Sequence, residues 1–299
     1  MPRIPADELL AMATSALHGA GLAGADAALV AESMVEAELE GHIDHGLRRL
    51  PGLIDDLRAG RVNSQPHFDV IRRRDAVAVL DADNGPGQMA AARAASLAVE
   101  YARNTGIGLV GVRRSNHLGS PSFHLRRITA KGMIGLLLSS CRPADAEARV
   151  DANPIAAAFP TSNQPVLVDL TVNPVGGIHE RRRLETPVPE GWAVEGVGPG
   201  AIGLSERNLA LALLVDVLAG LVSSDAGTGA GHCFIAIDPD AGTPGFLGRM
   251  DLLVGDLRRL AGRAPGDRRH AKLATRRAEG VEVSEDMIDR LRALDRAPL

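Results

Sequence analysis

The sequence predicts an α+β fold, and three observations predict it. Apolar residues recur at helical spacing through the first sixty positions and again near the C-terminus. Short β-rich runs, punctuated by glycine and proline, occupy the centre. Gly106-Ile107-Gly108-Leu109-Val110-Gly111 matches the dinucleotide fingerprint, but it lies within a strand-like run and follows a helical segment. A working fingerprint follows a strand and opens a helix, so that a pyrophosphate meets the helix N-terminus. The doubly wound nucleotide fold is therefore not expected. The order helices, mixed centre, helices suggests a helical part built from both ends of the chain.

Leu9, Leu10, Ala13 and Leu17 set a helix over 7–18 that stops at Gly19 and Gly21. Leu29, Val30, Met34 and Val35 set a second over 26–39. Leu47, Leu50, Ile54 and Leu57 set a third, ending at Gly60. Strands are expected over 68–71 and 76–80, then a turn at Asn84-Gly85-Pro86-Gly87 whose glycines suit positive φ. An alanine-rich helix over 88–104 leads to a buried strand over 107–112. A helix over 124–130 and strands over 133–139 and 166–170 follow, whereas 171–205 is rich in Gly, Pro and Arg and has no period. Residues 209–221 read as a buried helix and 233–237 as a strand closed by Asp238-Pro239. Amphipathic helices are expected over 250–260 and 287–294.

The 299 residues are 45% apolar, enough for a large core in one or two domains. A net charge of −4 argues against a nucleic-acid or anionic-lipid partner. Lys131 and Lys272 are the only lysines, so few amines are present for Schiff-base or phosphate work. Cys141 and Cys233 read as small core residues of a reducing compartment. The start Met1-Pro2-Arg3-Ile4-Pro5 runs into an amphipathic segment rather than a signal peptide, and no apolar run approaches the roughly 18 residues of a membrane span. A cytoplasmic protein is expected. Aromatic content of 2% leaves few platforms for stacking bases or sugars.

The chemistry concentrates in two stretches. In Asp44-His45-Gly46-Leu47-Arg48-Arg49-Leu50-Pro51, a spacing of four would put His45 and Arg49 on one helical face. That pairs a group titrating near neutrality with a flat, two-pronged cation, suited to holding a small carboxylate and protonating the adjacent carbon–heteroatom bond. His117 follows in Ser115-Asn116-His117-Leu118-Gly119. The histidines form no His-x-x-x-His pair and the cysteines no Cys-x-x-Cys pair, so no metal is expected; His42, Asp44 and His45 are the one weak set. Ser115, Ser139 and Ser140 lack a nucleophile-elbow context.

Together these stretches resemble the malate/L-lactate dehydrogenase type-2 family, whose relatives include sulfolactate and ureidoglycolate dehydrogenases, diketogulonate reductase and cyclic imino-acid reductases. The matching pieces run in family order. They include Gly41-His42-Ile43-Asp44-His45-Gly46 with Arg49-Leu50-Pro51, Asn84-Gly85-Pro86-Gly87-Gln88, and Ser115-Asn116-His117-Leu118-Gly119. Lys131-Gly132-Met133-Ile134-Gly135, Asn153-Pro154-Ile155-Ala156, Val215-Asp216-Val217-Leu218-Ala219-Gly220 and Pro265-Gly266 continue the series. The resemblance implies a non-Rossmann fold, with a helical domain from both termini (1–66 and 247–299) and a central two-layer α/β domain (67–246). It also implies a homodimer and a nicotinamide cofactor, NAD or NADP. By resemblance His45 is the acid/base, Arg49 anchors the substrate carboxylate, and Asn116, His117 and Gly119 lie near nicotinamide and substrate. Asp44, in place of the family's serine, joins the catalytic set. Asp169, Thr171 and Asn173 match the cofactor-contacting stretch.

The departures leave the substrate-side stretches largely intact, apart from Asp44, and fall mostly on the cofactor side. Asp44 beside His45 is expected to favour the charged imidazole. The family's Gly-Gly-x-Lys-Gly element is replaced by Gly203-Leu204-Ser205-Glu206-Arg207-Asn208-Leu209, where Arg207 is the candidate electrostatic substitute. Three readings stay open. The first is a hydride-transferring enzyme of small 2-oxo/2-hydroxy or cyclic 2-imino/amino acids. The second is a diverged member without nicotinamide dependence, doing non-redox acid/base work such as isomerisation, elimination or cyclisation. The third is a non-catalytic dimeric binding protein.

Overall fold

The computed structural model describes residues 2–142, 154–172, 206–222 and 229–296. The chain opens with β1 (Arg3–Ile4), α1 (Ala6–His18), α2 (Gly24–Glu40) and α3 (Leu50–Arg58). The central part holds β2 (Asp69–Arg74), β3 (Val77–Asp81), α4 (Gly87–Thr105), β4 (Ile107–Ser115), α5 (Pro121–Thr129), β5 (Ile134–Arg142), β6 (Pro154–Phe159) and β7 (Val166–Thr171). Then come α6 (Glu206–Val215), β8 (Gly229–Ile237), α7 (Phe246–Ala261), α8 (Asp267–Glu279), β9 (Val281–Glu282) and α9 (Glu285–Arg296).

The apolar stripes of α1 to α3 meet in one core, where Leu9, Leu17, Val30, Met34, Leu50 and Ile54 are buried. Ile288 and Leu291 of α9 enter the same core, so the two ends of the chain share it. The antiparallel pairing of β1 with β9, Ile4 opposite Val281, fastens them side by side.

A seven-stranded sheet in the order β2-β3-β4-β8-β5-β6-β7 forms the centre. Among the described strands only β3 and β4 run parallel, and the other neighbouring pairs are antiparallel. The late strand β8 is inserted between β4 and β5, which sets His232 opposite both Val112 and Ser139. Alternate side chains serve opposite faces. Val110, Leu137 and Phe234 face Ala90, Ala94 and Ala98 of α4 and Leu125 and Ile128 of α5. Leu138, Cys233 and Ile235 meet Ala212, Val215 and Ala219 on the other face. Cys233 is a buried free thiol, which burial pushes up to about 12. A Cβ on Gly108 would lie 2.1 Å from the Ala98 carbonyl oxygen, so α4 packs too closely on β4 for any larger residue. Of the three glycines at 106, 108 and 111, Gly108 serves helix–strand packing, Gly106 ends α4 at φ +83°, and Gly111 lies with Gly108 in β4.

Four local expectations change. The sequence reading does not mark β6, whose alanines give no β-branched signal. It also misses α8, which is highly charged and buries no residue fully, so it has no apolar stripe. Residues 209–221 are not one buried helix. The α-helix passes into a π-helical segment, Asp216–Leu221, and Leu211, Leu213, Leu214 and Val217 are exposed. In the 84–87 turn positive φ falls on Asp83 and Asn84, not on the glycines. Gly85 and Gly87 are there for space: a Cβ would lie 2.5 Å from Pro66 Cγ and 2.1 Å from the Asn116 carbonyl oxygen, respectively. The aperiodic stretch lies outside the described residues from 173 to 205. No described helix is long and apolar enough to cross a membrane.

Candidate active site

The first half of the site grows from the end of α2. Gly41 stops that helix in the left-handed conformation, φ +82°. Two single 3₁₀ turns follow, Ile43–His45 and Leu47–Arg49, joined by an extended Gly46. Pro51 then sits in the first turn of α3, where its missing N–H costs nothing. His45 and Arg49 thus close two successive turns rather than sharing one helical face, because Gly46 interrupts the helix. They still converge: Arg49 Nε donates to the Asp44 carbonyl at 2.6 Å, and its charge opposes protonation of His45. Below the loop, the buried Glu38 carboxylate accepts the Leu47 N–H at 2.9 Å.

The second half springs from the end of β4. A register irregularity between Val112 and Ser115, with Arg114 at φ +50°, bends the strand before the Asn116–Gly119 turn. The Asn116 amide nitrogen donates to the Asn84 carbonyl, the Asn84 side chain and the Gly85 carbonyl at 3.1, 3.2 and 3.0 Å. Gly119 takes φ +82°, and a Cβ there would lie 2.6 Å from Ser33 Oγ. His232 anchors the turn from behind. Its Nε2 lies 3.1 Å from the Asn116 carbonyl and 3.1 Å from Ser115 Oγ, and its Nδ1 lies 2.8 Å from Ser139 Oγ. A carbonyl only accepts, so the proton of His232 sits on Nε2. Burial holds its pKa down to about 4.

The halves meet at His45 and His117. His45 Nδ1 is 3.3 Å from His117 Nε2, with ring planes 16° apart and centroids separated by 5.3 Å. The Gly119 N–H donates to His117 Nδ1 at 3.1 Å. With its Nδ1 accepting, His117 donates from Nε2 to His45 Nδ1, which leaves the His45 proton on Nε2. Burial is the largest influence on His45 and lowers its pKa; Asp44 and Asp169 push it up, Arg49 and Arg269 down. Asp44 acts in the direction its charge dictates, but burial outweighs it, so the imidazole favours the neutral form. The His42 ring, 6.4 Å from that of His45, is held down to about 4, again chiefly by burial.

The structure thus brings Asp44, His45, Arg49 and His117 together. Asn116 and Gly119 shape the turn that carries His117. Asp169, on β7, is paired with Arg269 of α8 at 2.9 Å and lies within electrostatic reach of both His42 and His45. The Pro265-Gly266 segment makes that pairing possible: the Pro265 carbonyl accepts the Leu167 N–H, and Gly266 at φ +97° starts α8 beside β7. Thr171 ends β7, half-buried. Asn173 lies outside the described residues, as does the side chain of Arg207 in the first turn of α6. Among the described residues no group of three His, Cys, Asp or Glu could hold a metal. Sequence reasoning missed Glu38, His232 and Arg269. Each reaches the site from another element, and none carries a local motif.

Residues 4–200 match the family model described as malate/L-lactate dehydrogenase. A malate dehydrogenase of Pyrococcus abyssi is 30% identical, covering 98% of this chain and 94% of its own length. A (2R)-3-sulfolactate dehydrogenase (NADP(+)) of Chromohalobacter salexigens is 30% identical over 94% of this chain and 95% of its own. Among solved structures, the malate dehydrogenase of Pyrococcus horikoshii superposes with a TM-score of 0.84 at 28% identity, covering 98% of this chain and 94% of that one.

Proposed function

This chain belongs to the malate/L-lactate dehydrogenase family, and from that premise we propose that it reduces small 2-oxo or cyclic 2-imino acids, reversibly, with NADH or NADPH. One observation carries the reading: the 3.3 Å contact of His45 with His117 beside Arg49. Arg49 holds the substrate carboxylate, which fixes C2 relative to His45. Reduction consumes one proton, which His45 Nε2 delivers to the carbonyl oxygen or imine nitrogen and solvent then restores to His45. A bound nicotinamide supplies the hydride. Asp44 and Asp169, within electrostatic reach of His45, are the groups that would favour a cationic ring bound beside it, and Arg49 and Arg269 those that would oppose it. Thr171, Asn173 and Arg207 are the proposed cofactor-side contacts.

A homodimer is the proposed assembly. Exposed Leu211, Leu213 and Leu214 of α6 and Leu252, Leu253 and Leu260 of α7 support it.

Calorimetric titration with NADH and NADPH, followed by turnover of a panel of 2-oxo and cyclic 2-imino acids, tests the reading. Binding of one nucleotide and loss of about 10³-fold in turnover for His45→Ala are expected. No binding of either at roughly millimolar concentration overturns the redox reading in favour of the non-redox acid/base alternative.

A further inference from the structure

We propose that Glu38 is a positioning residue for catalysis, holding the turns that carry His45 and Arg49 in their working relation through the Leu47 amide. The proposal rests on the roles of His45 and Arg49 proposed above. Glu38 stands in the last turn of α2 and is 7% exposed. The N–H of Leu47 opens the second 3₁₀ turn, where no intrahelical acceptor exists, and Glu38 Oε1 accepts it at 2.9 Å. Gly46 rests directly on the carboxylate: a Cβ there would lie 2.2 Å from Oε1. The residue between the two working side chains is therefore seated on Glu38, and a larger residue there would have to push the carboxylate aside.

Glu38 is itself held from behind. Its backbone carbonyl accepts a hydrogen bond from Arg276 of α8, so the C-terminal part of the chain braces the end of α2. Arg276, Arg48 and Asp44 are the charged groups felt by its carboxyl; burial outweighs both arginines and raises it to about 7. A carboxyl at that burial needs a donor partner, and the Leu47 amide is one. Losing the acceptor would free the Leu47 turn and shift His45 and Arg49 together. A displacement near 1 Å costs about 10²-fold in rate.

The test compares Glu38→Gln, which keeps an acceptor oxygen, with Glu38→Leu, which keeps the volume without it. Kinetics are measured well below the melting temperature. Glu38→Leu is expected to lower kcat/KM about 30- to 100-fold, with kcat falling and KM rising together because both working residues move. Glu38→Gln is expected to restore activity to within about threefold. A Glu38→Leu enzyme as active as the parent, or a Glu38→Gln enzyme as impaired as the leucine variant, overturns the proposal. If Glu38→Leu does not fold, hydrogen exchange of the Leu47 amide in the unaltered protein decides: strong protection supports the contact and an unprotected amide refutes it. His45→Ala in the same assay separates the two levels. Full activity there sinks the functional reading, while Leu47 protection still reports on the Glu38 contact.

Discussion

His42, His124 and His232 are imidazoles whose burial disfavours the second, charging proton. Burial lowers them to about 4, about 3 and about 4 from an ordinary 6.5. The unfolded chain binds protons at these positions below pH 6.5, and the folded chain does not until far lower pH. Unfolding then takes up protons, so stability falls as pH drops from about 6.5 toward 4. Glu38 works the other way: its carboxyl is raised to about 7, so its contribution is complete below pH 4.5 and is lost as pH rises through 7. With His45 and His270, also lowered chiefly by burial, five depressed histidines outweigh the two raised carboxyls among the described residues, Glu36 and Glu38. Urea midpoints are expected to fall steadily between pH 6.5 and 4.5; a midpoint that rises on acidification contradicts the assignment. The neutrality of His45 has the same origin and was not legible in the sequence, where the adjacent Asp44 points the opposite way.

At the scale of elements, close approach decides more than propensity. The N-terminus of α4 presses against the turn that carries His117, and Gly87 makes the contact possible. A Cβ on Gly87 would sit 2.1 Å from the Asn116 carbonyl oxygen and 2.5 Å from the His117 carbonyl carbon. Gly87→Ala is expected to push the turn away, destabilising the protein by about 1–3 kcal/mol and cutting kcat by about 10²-fold. Thermal melting and steady-state kinetics measure both, and wild-type kinetics in that variant would release the turn from its role. The glycines were visible in the sequence, but as turn formers; that Asp83 and Asn84 take the positive φ instead required the packing of Pro66 and Asn116 to be known. The π-helical segment after α6 is a similar case. A Cβ on Gly231 would lie 2.1 Å from the Ala219 carbonyl oxygen, a contact between elements that no local pattern encodes.

Over the whole molecule, the two ends of the chain converge on the site. Arg269 pairs with Asp169 and Arg276 with the Glu38 carbonyl, so α8 borders a loop more than two hundred positions earlier. The exposed leucines of α6 and α7 belong to this scale as well. Light scattering is expected to give twice the 31.3 kDa chain mass, and Leu213→Glu with Leu252→Glu to shift it toward one chain. A single-chain mass for the unaltered protein removes the dimer from the proposal.

The sequence by itself determined the α+β class, the helices with a clear apolar stripe, the exclusion of the Rossmann reading and the two stretches from which the candidate site is built. These follow from periodicity and from residue type at short spacing, which are local properties. Tertiary structure alone decided that His45 meets His117, that Glu38, His232 and Arg269 reach the same part of the molecule from other elements, and that burial lowers His42, His45 and His232. Those outcomes depend on which distant atoms come within a few ångströms and on how much water they exclude, and neither is written in the neighbourhood of any one residue.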